Sequence, residues 1–100
     1  MINSIEQLYS LKHDQDISGF LNRYPFLQPL LLEAPTKIHD YFGDAQFRLE
    51  ITPEETLLLT ALVALEPERA FELEKQFDQT WWIPNLSKAQ HLLDIHIELL

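Results

Sequence analysis

Near its C-terminal end, the chain carries three side chains that could bind a metal. Asp94, His96 and Glu98 alternate with apolar residues, so an extended strand would place all three on one face. Carboxylates and imidazoles are ligands that zinc takes in proteins. However, any polar strand face produces such a triplet by alternation, and neither His39 nor His13 supplies a second pair with metal spacing. We therefore predict no metal and no cofactor, and a small metal-dependent enzyme is the alternative.

Residue types that other catalytic sites need are scarce. The chain has no cysteine, and its two glycines are Gly19 and Gly43. Its serines lie outside the turn of a nucleophile elbow, and no glycine-rich loop is present to hold a phosphate. The acids that follow Pro67 fall on the polar side of a helix. We therefore predict no catalytic residues and a protein that is not an enzyme.

The charge of the chain excludes several kinds of partner. Sixteen acidic and seven basic residues give a formal net charge of −9. A field of this sign repels nucleic-acid phosphates and anionic membranes, and no basic stripe offsets it. The N-terminus lacks the basic start and apolar run of a signal peptide, and the absence of cysteine suits a reducing compartment. We expect a soluble, cytoplasmic protein that binds no nucleic acid, no membrane and no small molecule.

The first 43 residues have the pattern of helices. Ser4 and Gln7 fit a capping box at the start of the first helix. Asp16 fits the cap of a second helix, which must stop before Pro25.

A longer helix is predicted before Gly43. Apolar residues recur there at steps of three and four, namely Leu27, Leu30, Leu31, Ala34, Ile38, Tyr41 and Phe42. Pro35 lies inside this stripe and removes the amide that would bond to Leu31, so we expect a kink or a break. Gly43 is typical of the residue that ends a helix.

After Gly43 the apolar period changes from helical to strand-like. Residues 46–52 alternate, and residues 56–65 are apolar on both faces, which favours a central strand over the alternative of a buried helix. A helix is predicted from Pro67 to Pro84, and residues 93–99 alternate again. We predict one α+β domain over residues 1–100: a helical segment (1–43) and a ββαβ core (44–100). Its three-stranded sheet is covered by a helix on at least one face.

The second half of the chain resembles a family of small, largely cyanobacterial proteins whose function is not established. The resemblance covers about residues 38–100 and is most specific at the paired tryptophans. The matching residues are Tyr41, Phe42, Leu49, Glu50, Pro53, Glu54, Ala70, Phe77, Asp78, Trp81 and Trp82. The resemblance implies an α+β fold and implies no activity.

The paired tryptophans suggest a place where a partner could bind. On a continuous α-helix Trp81 lies within about 20° of Ala70, whereas Trp82 lies about 120° away, close to Phe71. We predict that Trp81 is buried and that Trp82 and Phe71 form an exposed or partly exposed aromatic ledge, with Asp78 as a charge beside it. Burial of both indoles is the alternative.

A second candidate surface lies on the predicted sheet. Leu58 and Leu62 would occupy the face opposite the helix that starts at Pro67, and these leucines need a cover. The N-terminal helix is the nearest candidate, and a second copy of the chain or another protein is the alternative. These surfaces favour a non-enzymatic protein–protein interaction module that binds a protein partner or forms a homodimer. An antitoxin-like acidic protein that neutralises a basic partner is a further alternative.

Overall fold

Helices and strands share the chain in the α+β arrangement that the sequence predicts. The computed structural model describes the backbone of residues 2–100 and the side chains of residues 5–100. The helices are α1 (Ile2–Leu8), α2 (Asp14–Arg23), α3 (Gln28–Phe42), α4 (Pro67–Phe77) and α5 (Ile83–Ala89). The strands are β1 (Ser10–Leu11), β2 (Ala45–Ile51), β3 (Leu57–Val63) and β4 (Leu93–Leu99). A 3₁₀ turn (Pro25–Leu27) precedes α3, and a π turn (Asp78–Trp82) joins α4 to α5. Within residues 2–100, no helix has both the length and the apolar character needed to cross a membrane.

The strands form one mixed sheet in the order β1-β2-β3-β4. β2 and β3 are an antiparallel hairpin, and β4 returns parallel to β3 after the α4–α5 crossover. β1 pairs in parallel with β2, so the prediction of three strands is wrong by one. β1 has two residues, which is too short to show a strand period, and it interrupts the segment predicted to be helical. The central position predicted for β3 is confirmed.

The helical layer packs on one face of the sheet. Leu49, Leu57 and Leu59 lie in the same buried cluster as residues of α1, α2 and α3 and as Phe77 of α4. The rings of Phe77 and Phe42 are 5.9 Å apart, so α4 packs beside α3. The N-terminal helices therefore share a face with α4. The expectation that they cover the opposite face of β3 is wrong.

Several helix ends differ from the sequence prediction. α1 begins two residues before Ser4, so Ser4 does not precede the helix, and its side chain lies outside the described residues. α2 begins two residues before Asp16, which lies in the first turn and is not the cap. The end of α2 before Pro25 is confirmed. The prediction that Gly43 ends α3 is also confirmed. Gly43 takes a φ of 76° and donates its amide hydrogen to the carbonyl of His39.

α3 runs through Pro35 without a break, so the break offered as one outcome at this residue is wrong. Proline has no amide hydrogen, which leaves the carbonyl of Leu31 without its helical donor. The hydroxyl of Tyr9, which is itself buried, donates a hydrogen bond of 2.7 Å to this carbonyl. Burial raises the pKa of Tyr9 well above its usual value, so the hydroxyl keeps its proton. A residue before β1 thus satisfies the group that Pro35 leaves free.

The helix after β3 also continues past the residue expected to end it. Pro84 lies in the first turn of α5, so the predicted stop at this residue is wrong. The amide of Ile83 bonds to the carbonyl of Asp78, five residues earlier, which makes the turn wider than an α-helical one. The wider turn lets the helical segment continue where a proline would otherwise clash with the preceding turn.

Candidate protein-binding surface

The face of the sheet that points away from the helices is called the open face. Its side chains come from three strands: Gln46, Arg48, Glu50, Leu58, Thr60, Leu62, Asp94, His96 and Glu98. The strand register places Leu58 between Glu50 and Asp94, and Leu62 beside Glu98. Both leucines are half-buried, and the charged residues of β4 are exposed. The predicted grouping of two leucines with flanking charges is confirmed.

An ion pair crosses the open face above β3. Arg48 is the cross-strand neighbour of Thr60, and Glu98 is the neighbour of Leu62, so the two charges lie diagonally on either side of β3. Their Nη2 and Oε2 atoms are 3.2 Å apart. The aliphatic parts of such side chains cover apolar surface while their charges stay in water. This explains why Thr60 is only 2% exposed and Leu62 is half-buried without a helix above them.

Trp82 does not lie on the surface. It is 7% exposed, so the prediction that it forms an exposed ledge with Phe71 is wrong and the alternative of two buried indoles is right. The reason is the π turn. Within a π turn each residue advances by less than the 100° of an α-helix, so Trp82 is brought back from about 120° toward the line of Ala70 while Trp81 stays near it. The sequence prediction assumed a continuous α-helix and could not include this rotation.

The predicted burial of Trp81 is confirmed, and its surroundings show what holds it. Its ring lies 5.5 Å from the ring of Phe77 and 6.1 Å from that of Trp82. Its indole nitrogen donates a hydrogen bond of 2.8 Å to a carboxylate oxygen of Glu33 on α3. A buried indole needs such an acceptor, because an N–H group without a hydrogen bond is costly in an apolar core. Trp81 therefore joins the π turn to α3, and Trp82 packs against Trp81 in the same buried cluster.

Phe71 is the part of the predicted ledge that remains on the surface. It is 59% exposed, and the Nζ atom of Lys75 lies 4.5 Å from its ring centre. A cation above an aromatic ring is attracted to the ring face, so this pair is held in place on the outer side of α4. Aromatic side chains are enriched at protein contacts relative to the rest of the surface.

Two half-buried acids lie near the end of α4: Glu74 in the helix and Asp78 at the start of the π turn. Burial raises the pKa of Asp78 above its usual value. Burial also raises the pKa of Glu74, the negative charge of Asp78 raises it further, and His96 lowers it in part. Glu74 is thus close enough to interact electrostatically with both Asp78, at the end of the same helical segment, and His96 on β4. Glu74 of α4 therefore lies near β4, the outer strand of the sheet.

The possible metal ligands on β4 serve other contacts. Glu98 is paired with Arg48, and a carboxylate oxygen of Asp94 accepts the amide hydrogen of Ile95 at 3.1 Å. Among the described residues, no three side chains from histidine, cysteine, aspartate or glutamate are grouped so that they could hold a metal ion. The triplet Asp94, His96 and Glu98 shares one face, as predicted, without forming a ligand cluster.

Two features of this surface were not found from the sequence. One is the ion pair of Arg48 with Glu98, which depends on strand order and register. The other is the backbone of β4, whose outer side has no neighbouring strand among residues 2–100. The alternation of residues 93–99 predicts the strand, but only the sheet order shows that it is at an edge.

Comparison of the chain with protein-family models, curated proteins and solved structures gives no match. The resemblance carried by the paired tryptophans therefore stays a prediction.

Proposed function

We propose that this protein is a non-enzymatic interaction module that binds another protein through the open face and the adjoining flank of α4. The observation that carries the proposal is the one-sided helical layer. Leu57, Leu59 and Val63 of β3 are fully buried by it, whereas Leu58 and Leu62 of the same strand remain half-exposed.

The chemical character of this surface suits a protein partner. The open face has two half-exposed leucines with charged groups at its margins, and Phe71 adds an exposed ring on α4. An apolar centre with a polar rim is the usual composition of a protein contact. The excess of acids, with a net charge of −9, favours a basic partner and would increase the rate of encounter.

The proposal is tested by capture from extracts of the cells that make the protein. The tagged chain is compared with the double variant Leu58→Thr/Leu62→Thr and with Phe71→Ser. Threonine suits a strand and removes the apolar surface, so the fold is kept. Leu32→Ser is the matched control, since Leu32 is an exposed leucine on α3, away from the sheet face.

We expect one protein to be captured in near-stoichiometric amount by the natural chain and by Leu32→Ser, and to be lost from the other two variants. A salt series then separates the contributions, because charge-steered binding weakens as salt rises and apolar docking does not. Equal capture by all four proteins, or no capture above a tag-only control, would contradict the proposal. Micromolar zinc binding in calorimetry that is lost in His96→Ala would instead favour the metal-dependent alternative.

A further inference from the structure

The two edges of the sheet are protected to different degrees. β1 has two residues and covers part of β2, whereas β4 has seven residues and no strand on its outer side. Exposed edges are commonly protected by charged side chains, especially lysine, by proline or by a very short strand. The β4 sequence, LDIHIEL, has no lysine and no proline, and its two acids leave it open to a strand of opposite charge. The edge of β4 is therefore open to a further strand.

The parallel ladder determines which backbone groups of β4 point outward. Leu57 donates its amide to the carbonyl of Leu92, and Leu100 donates to Val63. In a parallel pair, the residues that bond to the neighbouring strand alternate with residues that point away from it. The even-numbered residues of β4 thus bond to β3. Its odd-numbered residues direct their amides and carbonyls outward: Leu93, Ile95, Ile97 and Leu99.

A side-chain contact supports this assignment independently. The amide of Ile95 is hydrogen-bonded by the carboxylate of Asp94, which requires that it point away from β3. Within residues 2–100, no hydrogen bond satisfies the outward amides of Ile97 and Leu99. Asp94 thus occupies the first part of the edge and leaves the last part free.

Near this free part of the edge, the side chains of β4 are apolar on the helical face and acidic on the open face. Ile95 and Ile97 are half-buried, and Leu99 is 39% exposed, so the helical cover decreases toward the end of β4. Asp94 and Glu98 lie on the open face of the strand, where Glu98 also pairs with Arg48, and Glu74 of α4 is within electrostatic reach of β4 from the helical layer. A strand added here would have acids beside its side chains on the open face and apolar contacts on the other.

We propose that the free edge of β4 binds an extended segment of a basic partner protein, in which lysine or arginine alternates with apolar residues. The segment pairs with the outward groups of Ile97 and Leu99. Its basic side chains lie on the open face beside Asp94 and Glu98, and its apolar side chains lie beside Ile95 and Ile97. This inference rests on the proposed function and specifies the chemistry of the partner. An extended peptide that adds a strand to an exposed sheet edge is a recurring form of peptide recognition.

A second copy of the chain fits this edge less well. Each copy carries a net charge of −9, and pairing two β4 strands would bring the acids of both edges together. Like charges placed opposite each other on neighbouring strands destabilise the pairing. Charge complementarity therefore favours a basic segment over a homodimer.

The test uses a short fluorescent peptide that alternates lysine with valine, with binding followed by anisotropy. Leu99→Pro removes the outward amide and leaves the bonds of β4 to β3 in place, because proline is tolerated where an edge amide faces solvent. Leu99→Ala is the matched control, since it removes the same side chain and keeps the amide. A glutamate–valine peptide and a lysine–valine peptide methylated at alternate amides are the peptide controls.

We expect the lysine–valine peptide to bind Leu99→Pro about three- to tenfold more weakly than Leu99→Ala, which is the loss of one hydrogen bond. The two control peptides should bind neither variant. Equal binding by the two variants, equal binding of both peptide charges or no binding overturns the inference. Dimerisation that Leu99→Pro abolishes also overturns it. If capture from extracts still depends on Leu58 and Leu62, the interaction module stands while the edge inference fails.

Discussion

On β3, alternate residues have different surroundings. Leu57 and Leu59 are fully buried beneath the helical layer, while Leu58 and Leu62, on the open face, are half-buried and flanked by residues of β2 and β4. The buried pair and the half-buried pair are all leucines of one seven-residue strand, so residue type does not explain the difference in burial. The difference shows that an apolar run on both faces of a strand does not require a layer of structure on both sides.

The two faces are therefore expected to contribute differently to the molecule. Removing apolar atoms from a packed layer leaves a cavity, so substitutions on the helical side should reduce stability. Substitutions on the open face remove partly hydrated atoms and should affect stability less, while they change what the surface can bind. Comparing matched residues from the two sides tests this division.

The largest expected effect is at the π turn. Trp82→Ala should reduce the free energy of unfolding by about 3–5 kcal/mol, because it empties the space of a buried indole. Phe71→Ala, on the exposed side of α4, should change it by about 0.5 kcal/mol or less. Urea denaturation of both variants measures the two values. Similar losses for the two variants would mean that the π turn does not direct Trp82 into the core.

A second comparison stays within β3. Leu59→Ala should reduce the free energy of unfolding by about 2–5 kcal/mol. Leu58→Ala, one residue away on the open face, should cost about 1 kcal/mol. The same urea titration applies, repeated at several protein concentrations. An equal and concentration-dependent loss for Leu58→Ala would show that a second copy of the chain covers the open face.

The sequence predicts the elements of this fold better than their irregularities. Alternation over residues 93–99 and the apolar run of residues 56–65 correspond to β4 and β3, because regular strands leave a regular period. β1 leaves no period in two residues. β1 pairs with β2, which is about 38 residues away in sequence, and a local residue pattern holds no information on such a long-range contact.

The same limit applies to the candidate site. Leu58 and Leu62 were predicted to share a face with the charges of β4, and the register confirms this grouping. An α-helix of regular period places Trp82 on the surface, and one extra residue at the π turn reverses that result. The ion pair between Arg48 and Glu98 joins residues that are far apart in sequence, so only the strand order brings them together.

A third test concerns the irregular helix inside the covered layer. Tyr9→Phe should reduce the free energy of unfolding by about 1–3 kcal/mol, because it leaves the buried carbonyl of Leu31 without a donor. In the background of Pro35→Ala, residue 35 regains its amide, so the same change should cost less. A double-mutant cycle gives the coupling energy. A coupling energy of zero would show that Tyr9 does not compensate for Pro35.

The smallest effect is expected at Asp78, a half-buried acid at the start of the π turn. Burial raises its pKa above the ordinary value of 3.8. A carboxyl group whose pKa is raised in the folded state favours folding below its unfolded pKa, and this contribution is lost as the pH rises through the folded pKa. At neutral pH the charged Asp78 therefore costs stability.

Asp78→Asn should unfold at a modestly higher temperature than the natural chain at neutral pH, and the difference should disappear as the pH falls below 3.8. Glu54→Gln, which removes an exposed acid in the turn after β2, controls for the loss of one charge. Because the charge of Asp78 also raises the pKa of Glu74, a titration of Glu74 by NMR should show a lower pKa in Asp78→Asn. A stability gain that is the same in Glu54→Gln and independent of pH would show that net charge, and not the burial of Asp78, is responsible.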